Sequence, residues 1–262
     1  MRKLLFILIA VGLGLSATAQ ETKKQAKKEE RKKRINQLIK QEEEGVIAYH
    51  KHFAGGIKLT SDGYGGFLEI GRAQSVKKAI LFQLEITERK HQKEEKQSPL
   101  FSSSNPYIYG KTNFFYPVKI GAQIQMLLGN KSNKNGVSIT GNLGGGLIAG
   151  LLRPYEVEVA DGATSTKFIK YTPADSSDFV NASGIFGGPG LGKGWNGLKV
   201  TPGIYVKPAV RFDYGKYNEM ISAIEVGLTA EFYTKRIPQM VYSKEQQFFF
   251  SAYVALVFGK RK

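Results

Sequence analysis

The chain has no cysteine, one tryptophan and three histidines in 262 residues. Without cysteine there is no disulfide, no thiolate nucleophile and no attachment point for a cysteine-linked lipid anchor. The histidines leave little material for a metal centre. His50 and His52 form an H-x-H pair with no third ligand at a defined spacing, so neither a metal nor another cofactor is expected. Acidic residues are also few, 22 against 38 lysines and arginines, giving a formal charge of +16. After the first twenty residues no apolar run approaches the roughly 20 residues of a spanning helix. A chain like this can cross a bilayer only as a closed sheet, because open sheet edges are not tolerated in hydrocarbon.

What the sequence does contain begins with Arg2 and Lys3, the apolar run Leu4 to Leu15 and the A-x-A pattern Ala17-Thr18-Ala19. This is the layout of a secretory signal peptide covering 1–19. Export takes the chain away from nucleic acid. The basic excess, +14 once Arg2 and Lys3 are lost, reads either as contact with anionic lipid headgroups, the more economical reading, or as a solvated surface. Residues 20–52 form a charged extension. Within Glu21 to Glu44, Ile35, Leu38 and Ile39 make one short helical face, and Glu42-Glu43-Glu44 oppose the helix dipole before Gly45. A partly helical periplasmic segment is expected there, available to a partner or to the barrel mouth.

From residue 53 to the end the dominant pattern has period two. Phe114 to Leu128 alternates an apolar row (Phe114, Tyr116, Val118, Ile120, Ala122, Ile124, Met126, Leu128) with a mixed, largely polar one, over fifteen residues. Soluble strands are usually about 5 to 6 residues long, whereas a tilted membrane crossing takes about 9 to 11. Eight such segments are predicted: Phe53 to Ser61, Tyr64 to Ala73, Lys78 to Arg89, Phe114 to Leu128, Val137 to Leu152, Lys199 to Asp213, Met220 to Tyr233 and Gln247 to Phe258. Pro202 and Pro208 fall within the sixth and count against it, since they remove ladder hydrogen bonds unless bulges accommodate them. With both ends periplasmic, the short connections Gln74 to Lys77, Asn130 to Asn135 and Tyr214 to Asn218 alternate with the longer extracellular ones, Lys90 to Gly110, Arg153 to Leu198 and Lys235 to Gln246. Short inner turns and long outer loops are the asymmetry of outer-membrane barrels. Asp62-Gly63 is the exception, a tight outer turn. Aromatics near the strand ends, among them Phe114, Phe115, Tyr116, Tyr233, Phe248, Phe249 and Phe258, are read as interfacial girdles.

The inward rows carry Lys58, Arg89, Lys119, Lys207 and Arg211 against Glu69, Glu85, Glu225 and Glu231. An eight-stranded barrel is only just wide enough for side chains, and buried charges need partners. These nine residues are expected to form a paired network that plugs the lumen, with no catalytic role. Two other clusters were weighed for chemistry. His91, with Glu88, Glu94, Ser102, Ser103 and Ser104 nearby, has the residue types of a lipid-modifying rim site but no motif that fixes the serine. Gly187 to Gly197 (GGPGLGKGWNG) lacks the GK[ST] ending of a phosphate-binding loop and reads as turn chemistry, with Trp195 as its anchor. Glu156 to Val159 and Lys167 to Tyr171 in the same loop are expected to extend barrel strands outward.

The leader, eight alternating strands, loop asymmetry and a last strand reaching Phe258 resemble the small eight-stranded outer-membrane barrels of Gram-negative bacteria, the OmpA/OmpX-like superfamily, across 53–258. The resemblance implies an all-β, antiparallel up-and-down transmembrane β-barrel in the cell outer membrane, and the residue pattern of the extension adds a short N-terminal periplasmic helix before it. The functional reading is a non-enzymatic structural or interaction component of the cell envelope, such as an accessory subunit of a larger complex. Its expected partners are outer-membrane lipids and envelope proteins met through 21–44 and the 153–198 loop. A narrow transport pore and a rim lipid-modifying enzyme are the alternatives.

Overall fold

A computed structural model describes residues 28–30, 32–33, 50–98, 105–131, 136–162, 165–190, 192–215 and 220–262. Along the chain run β1 (Lys51–Thr60), β2 (Gly63–Ser75), β3 (Lys78–Arg89), β4 (Lys96–Gln97), β5 (Tyr107–Ile108), β6 (Asn113–Gly129), β7 (Ser138–Pro154), β8 (Glu156–Asp161), β9 (Ser165–Lys170), the single-turn helix α1 (Ser176–Phe179), β10 (Ile185–Gly187), β11 (Lys199–Asp213), β12 (Met220–Ile237) and β13 (Gln246–Arg261). Eight of the strands close into one antiparallel barrel in the order β1-β13-β12-β11-β7-β6-β3-β2. Closure is made by β1 on β13, in register from His52 opposite Arg261 to Thr60 opposite Tyr253. These are the eight predicted strands, several of them longer. β12 reaches Ile237 and β13 reaches Arg261, past the expected ends at Tyr233 and Phe258.

Alternation sets which side chain goes where. In β3, Leu81, Gln83, Glu85 and Arg89 are buried inside while Phe82, Leu84 and Ile86 stand exposed outside. The same parity exposes Ile57, Leu59, Leu68, Ile70, Ile120, Ile124, Leu143, Leu147, Val206 and Leu256. The inversion is extreme: Leu147 is 66% exposed while Lys58 is 1% exposed. An apolar belt around a filled polar interior is the arrangement that suits a bilayer.

Three expectations are corrected. Pro208 introduces no bulge. It is skipped in the β11–β12 ladder, yet Val206 opposite Ala230 and Ala209 opposite Gly227 keep one register on either side. Since Pro208 faces Leu143 of β7, an outward-pointing proline costs ladder bonds locally without shifting the strand. Segments 156–159 and 167–171 do not lengthen barrel strands. β8 and β9 instead pair with each other and with β10 in a separate three-stranded sheet ordered β10-β8-β9. The first hairpin turns at Ser61 and Asp62, with β2 starting at Gly63, and no residue there has a left-handed φ.

The signal peptide lies outside the described residues. So does the apolar face of Ile35, Leu38 and Ile39 in the extension, of which residues 28–30 and 32–33 are helical and exposed.

Candidate functional site

The nine lumen residues form two ion-paired groups, five around Glu85 and Glu231 and four around Glu225 and Glu69, bridged by Tyr253. The Lys58 ammonium donates to both Glu85 oxygens at 2.9 Å, and Lys119 Nζ lies 2.8 Å from Glu85 Oε1 and 2.8 Å from Glu231 Oε1. Arg89 donates to Glu231 through Nη1 at 2.7 Å and Nη2 at 3.1 Å. Lower in the bore, Arg211 donates through Nη1 and Nη2 to the two oxygens of Glu69, both at 2.8 Å, and through Nε to Glu225 Oε2 at 2.8 Å. Lys207 reaches Gln83 Oε1 at 2.6 Å and Glu225 Oε1 at 3.4 Å.

Two of these pairs, Glu85 with Lys119 and Arg211 with Glu225, are direct cross-strand neighbours. Others are chords. Arg89 to Glu231 joins β3 to β12, and Arg211 to Glu69 joins β11 to β2, strands four places apart in a ring of eight. A chord between opposed strands crosses the bore.

Several members of the network were not singled out from sequence. Asp62 Oδ2 sits 2.6 Å from Arg89 Nε. It supplies a fifth carboxylate against the five cations named above. His52, weighed above as a metal ligand, contacts Glu69 at 3.2 Å through Nε2, and no cluster of metal-ligating residues occurs among the described residues. Tyr253 and Tyr233 donate to Glu225 and Glu231 at 2.8 Å each. Asn142 donates to Glu225 Oε2 at 2.9 Å, and Gln123 donates to Gln83. The Lys58 ammonium also lies 3.7 Å from the Tyr253 ring centroid, a favourable cation–π placement.

Above the charges an aromatic layer fills the cap end of the bore. Phe115, Tyr233 and Phe249 pack edge-to-face or tilted at 5.4 to 5.7 Å between centroids, with Ile148, Leu152, Tyr205 and Ile237 around them. This corrects the girdle assignment for Phe115, Tyr233 and Phe249, which are buried inside. Phe232, Phe248, Phe250 and Phe258 do face outward. Gly121 makes room in this layer, since a Cβ there would stand 2.6 Å from the Tyr205 hydroxyl.

The long connections fold into a cap over the same end. Tyr107, Ile108, Tyr155, Val157, Val159, Ile169, Phe179 and Ile185 share one apolar core drawn from two loops, with Met240 and Val241 of a third packed against it. The three are also tied by backbone: Thr112 N donates to Gln239 O at 2.9 Å, Tyr155 N to Thr112 O at 2.8 Å and Val241 N to Gly110 O at 2.8 Å. Lys111, buried here, is neutralised by Glu94 at 2.6 Å. Burial pulls its ammonium below the usual lysine range, against the raising effect of that carboxylate. Burial likewise pushes the Tyr155 hydroxyl up to about 12.

The rim residues weighed for chemistry are engaged otherwise. His91 Nδ1 accepts from Lys93 N at 3.2 Å, and its own backbone N–H donates to Glu94 Oε1 at 2.9 Å. The nearest acid thus serves Lys111 and the turn. Ser102, Ser103 and Ser104 lie outside the described residues. In the glycine-rich stretch, Gly194 has φ of +83°, and a Cβ there would meet Pro154 O at 2.4 Å, so only glycine lets the loop press onto the end of β7. Trp195 then stacks on Tyr116 at 6.1 Å, and the Arg153 guanidinium lies 4.0 Å from the Phe114 centroid and 4.8 Å from that of Trp195.

Among solved structures the chain is similar to the N-terminal β-barrel domain of Pseudomonas aeruginosa OprF (9% identity, 80% of this chain and 98% of that one, TM-score 0.35). It is also similar to Ail, the attachment invasion locus protein of Yersinia pestis (9% identity, 82% and 99%, TM-score 0.39), and to Neisserial surface protein A (13% identity, 81% and 94%, TM-score 0.31). No protein-family model and no curated protein sequence matches the chain.

Of the features found here, strand parity alone signalled the inward tyrosines and glutamines. Asp62 carried no such signal, because its partner Arg89 is brought to it only by the β2–β3 pairing of Gly63 with Arg89.

Proposed function

We propose that this chain is an integral outer-membrane β-barrel with a closed bore, acting without catalysis as a structural and interaction component of the cell envelope. In this reading 1–19 is a signal peptide, 20–52 a periplasmic extension and 53–262 the barrel. The end holding Lys51 and Arg261 faces the periplasm and the loop cap faces outward. The observation that carries it is the pair of arginine–glutamate chords across the bore beneath an aromatic layer and a folded cap. A bore filled in this way offers no continuous water path, so its useful surfaces are its two ends. Lipid covers the apolar belt, and envelope proteins, including those of a larger complex, engage 21–44 and the 153–198 loop.

Gentle detergent extraction followed by sizing and mass spectrometry tests the reading. The intact protein is expected in a defined assembly with other envelope proteins, and deletion of 21–44 or replacement of 153–198 by a short turn should weaken it. Recovery of the intact protein only as a lone monomer would overturn the interaction role.

A further inference from the structure

The charge of the barrel rim is unevenly spread. At the end opposite the cap, Lys51 of β1 stands directly opposite Arg72 of β2. On its other side Lys51 exchanges both backbone hydrogen bonds with Lys262, at 2.9 and 2.7 Å. Alternation points all three outward: Ala54 and Lys58 of β1 are buried in the bore, so the odd-numbered residues of β1 face away from it. Lys260, opposite Phe53, and Lys78, at the start of β3, continue this outward row. All five side chains are exposed.

Like charges directly opposite one another destabilise a sheet, and here three adjacent strands carry them in line. Among the described residues no side-chain carboxylate forms an ion pair with them. Asp213, at the same end, faces inward and is held by Arg261 at 2.6 Å and Lys131 at 3.7 Å. The cations also sit just beyond exposed apolar residues of the same strands, Phe53, Ile70 and Phe258, and the half-buried Ile80. Long basic side chains at the edge of an apolar belt reach the headgroup layer with their stems on hydrocarbon. On the other half of this rim the outward residues Leu128, Val137, Phe212, Tyr214 and Met220 are uncharged, and the charges there lie in the turns, as Lys131, Lys134, Lys216 and Glu219 of the sequence. At the cap end Lys111 pairs with Glu94 and Lys167 with Asp161.

We infer that Lys51, Arg72, Lys78, Lys260 and Lys262 form a one-sided binding arc for the phosphate headgroups of anionic phospholipid in the leaflet at the terminal end. A phosphate between Arg72 and its lysine neighbours accepts the paired guanidinium donors and cancels the repulsion of the row. The inference rests on the membrane-barrel reading and adds a lipid class, a leaflet and a sector of the wall.

The test reconstitutes the full-length protein in phosphatidylcholine bilayers and measures the association of spin-labelled phosphatidylglycerol against spin-labelled phosphatidylcholine by electron paramagnetic resonance. Phosphatidylglycerol should be preferred by about five-fold or more at low salt, the effect of even one cation near an anionic surface. The preference should collapse at about 1 M salt, where screening acts over about 3 Å. The triple variant Lys51→Gln, Arg72→Gln, Lys262→Gln should lose it, while Lys51→Arg with Lys262→Arg should keep it. Equal association of the two lipids with the wild-type protein, or a preference that survives in the triple variant, would overturn the inference and leave the barrel reading intact. Failure of the wild-type protein to insert would overturn both.

Discussion

Removing the carboxylate of Glu85 perturbs the bore at a point where the outcome can be worked from contacts. Glu85 is the only carboxylate that Lys58 contacts among the described residues, and it receives two bonds of 2.9 Å from it. Lys119, its other partner, retains Glu231 at 2.8 Å. Glu85→Leu therefore leaves one ammonium buried and unpaired. Breaking a buried ion pair from one side costs about 3 to 5 kcal/mol, and the Tyr253 ring 3.7 Å from Lys58 is present before and after the change, which keeps the cost toward the lower end by retaining one favourable contact for the ammonium. A loss of about 3 kcal/mol is expected. Lys58→Met combined with Glu85→Leu removes both charges and keeps the bore balanced. It should recover most of the loss or exceed the wild type, because apolar replacement of a whole buried pair is often neutral or stabilising by about 1 to 4 kcal/mol. Urea unfolding in lipid vesicles, followed by the β-sheet circular dichroism band, gives both values. A single variant within about 0.5 kcal/mol of wild type, or a double variant as unstable as the single one, would refute a desolvated paired network.

Two further outcomes follow from the cap. The Tyr155 hydroxyl, raised by burial to about 12 from an ordinary 10.0, favours the folded cap fully below pH 10. That contribution is lost as pH rises from 10 toward 12, because the unfolded tyrosine ionises first. Limited proteolysis of the loops should therefore accelerate across this window, and Tyr155→Phe should flatten the response. Trp195→Ala removes the stack on Tyr116 and the Arg153 contact, an effect of about 1 to 2 kcal/mol on loop docking. Cleavage within 187–197 should rise while the barrel's thermal transition stays within a few degrees.

The barrel was legible because period two is imposed on each strand separately: the residue that faces lipid is fixed by its neighbours in sequence, and closure needs only enough long strands. Strand parity also placed Phe115 and Phe249 in the inward rows with Lys119 and Ser251. Aromatic content at strand ends points to a girdle, but parity decides their side, and a narrow bore also accepts rings. The cap was not legible. Tyr107, Val157, Phe179 and Met240 come from three loops with no shared period, and β8 to β10 join through long-range pairing that leaves no local mark. Asp62 shows the same limit in the lumen, since its turn residue identity explains it fully until Arg89 is placed beside it.

Planar-bilayer recording of the purified full-length protein tests the closed bore most directly. The chords from Arg89 to Glu231 and from Arg211 to Glu69, with the layer of Phe115, Tyr233 and Phe249 above them, predict insertion without steady openings. Large, persistent conductance steps from the wild-type protein would contradict the plugged barrel.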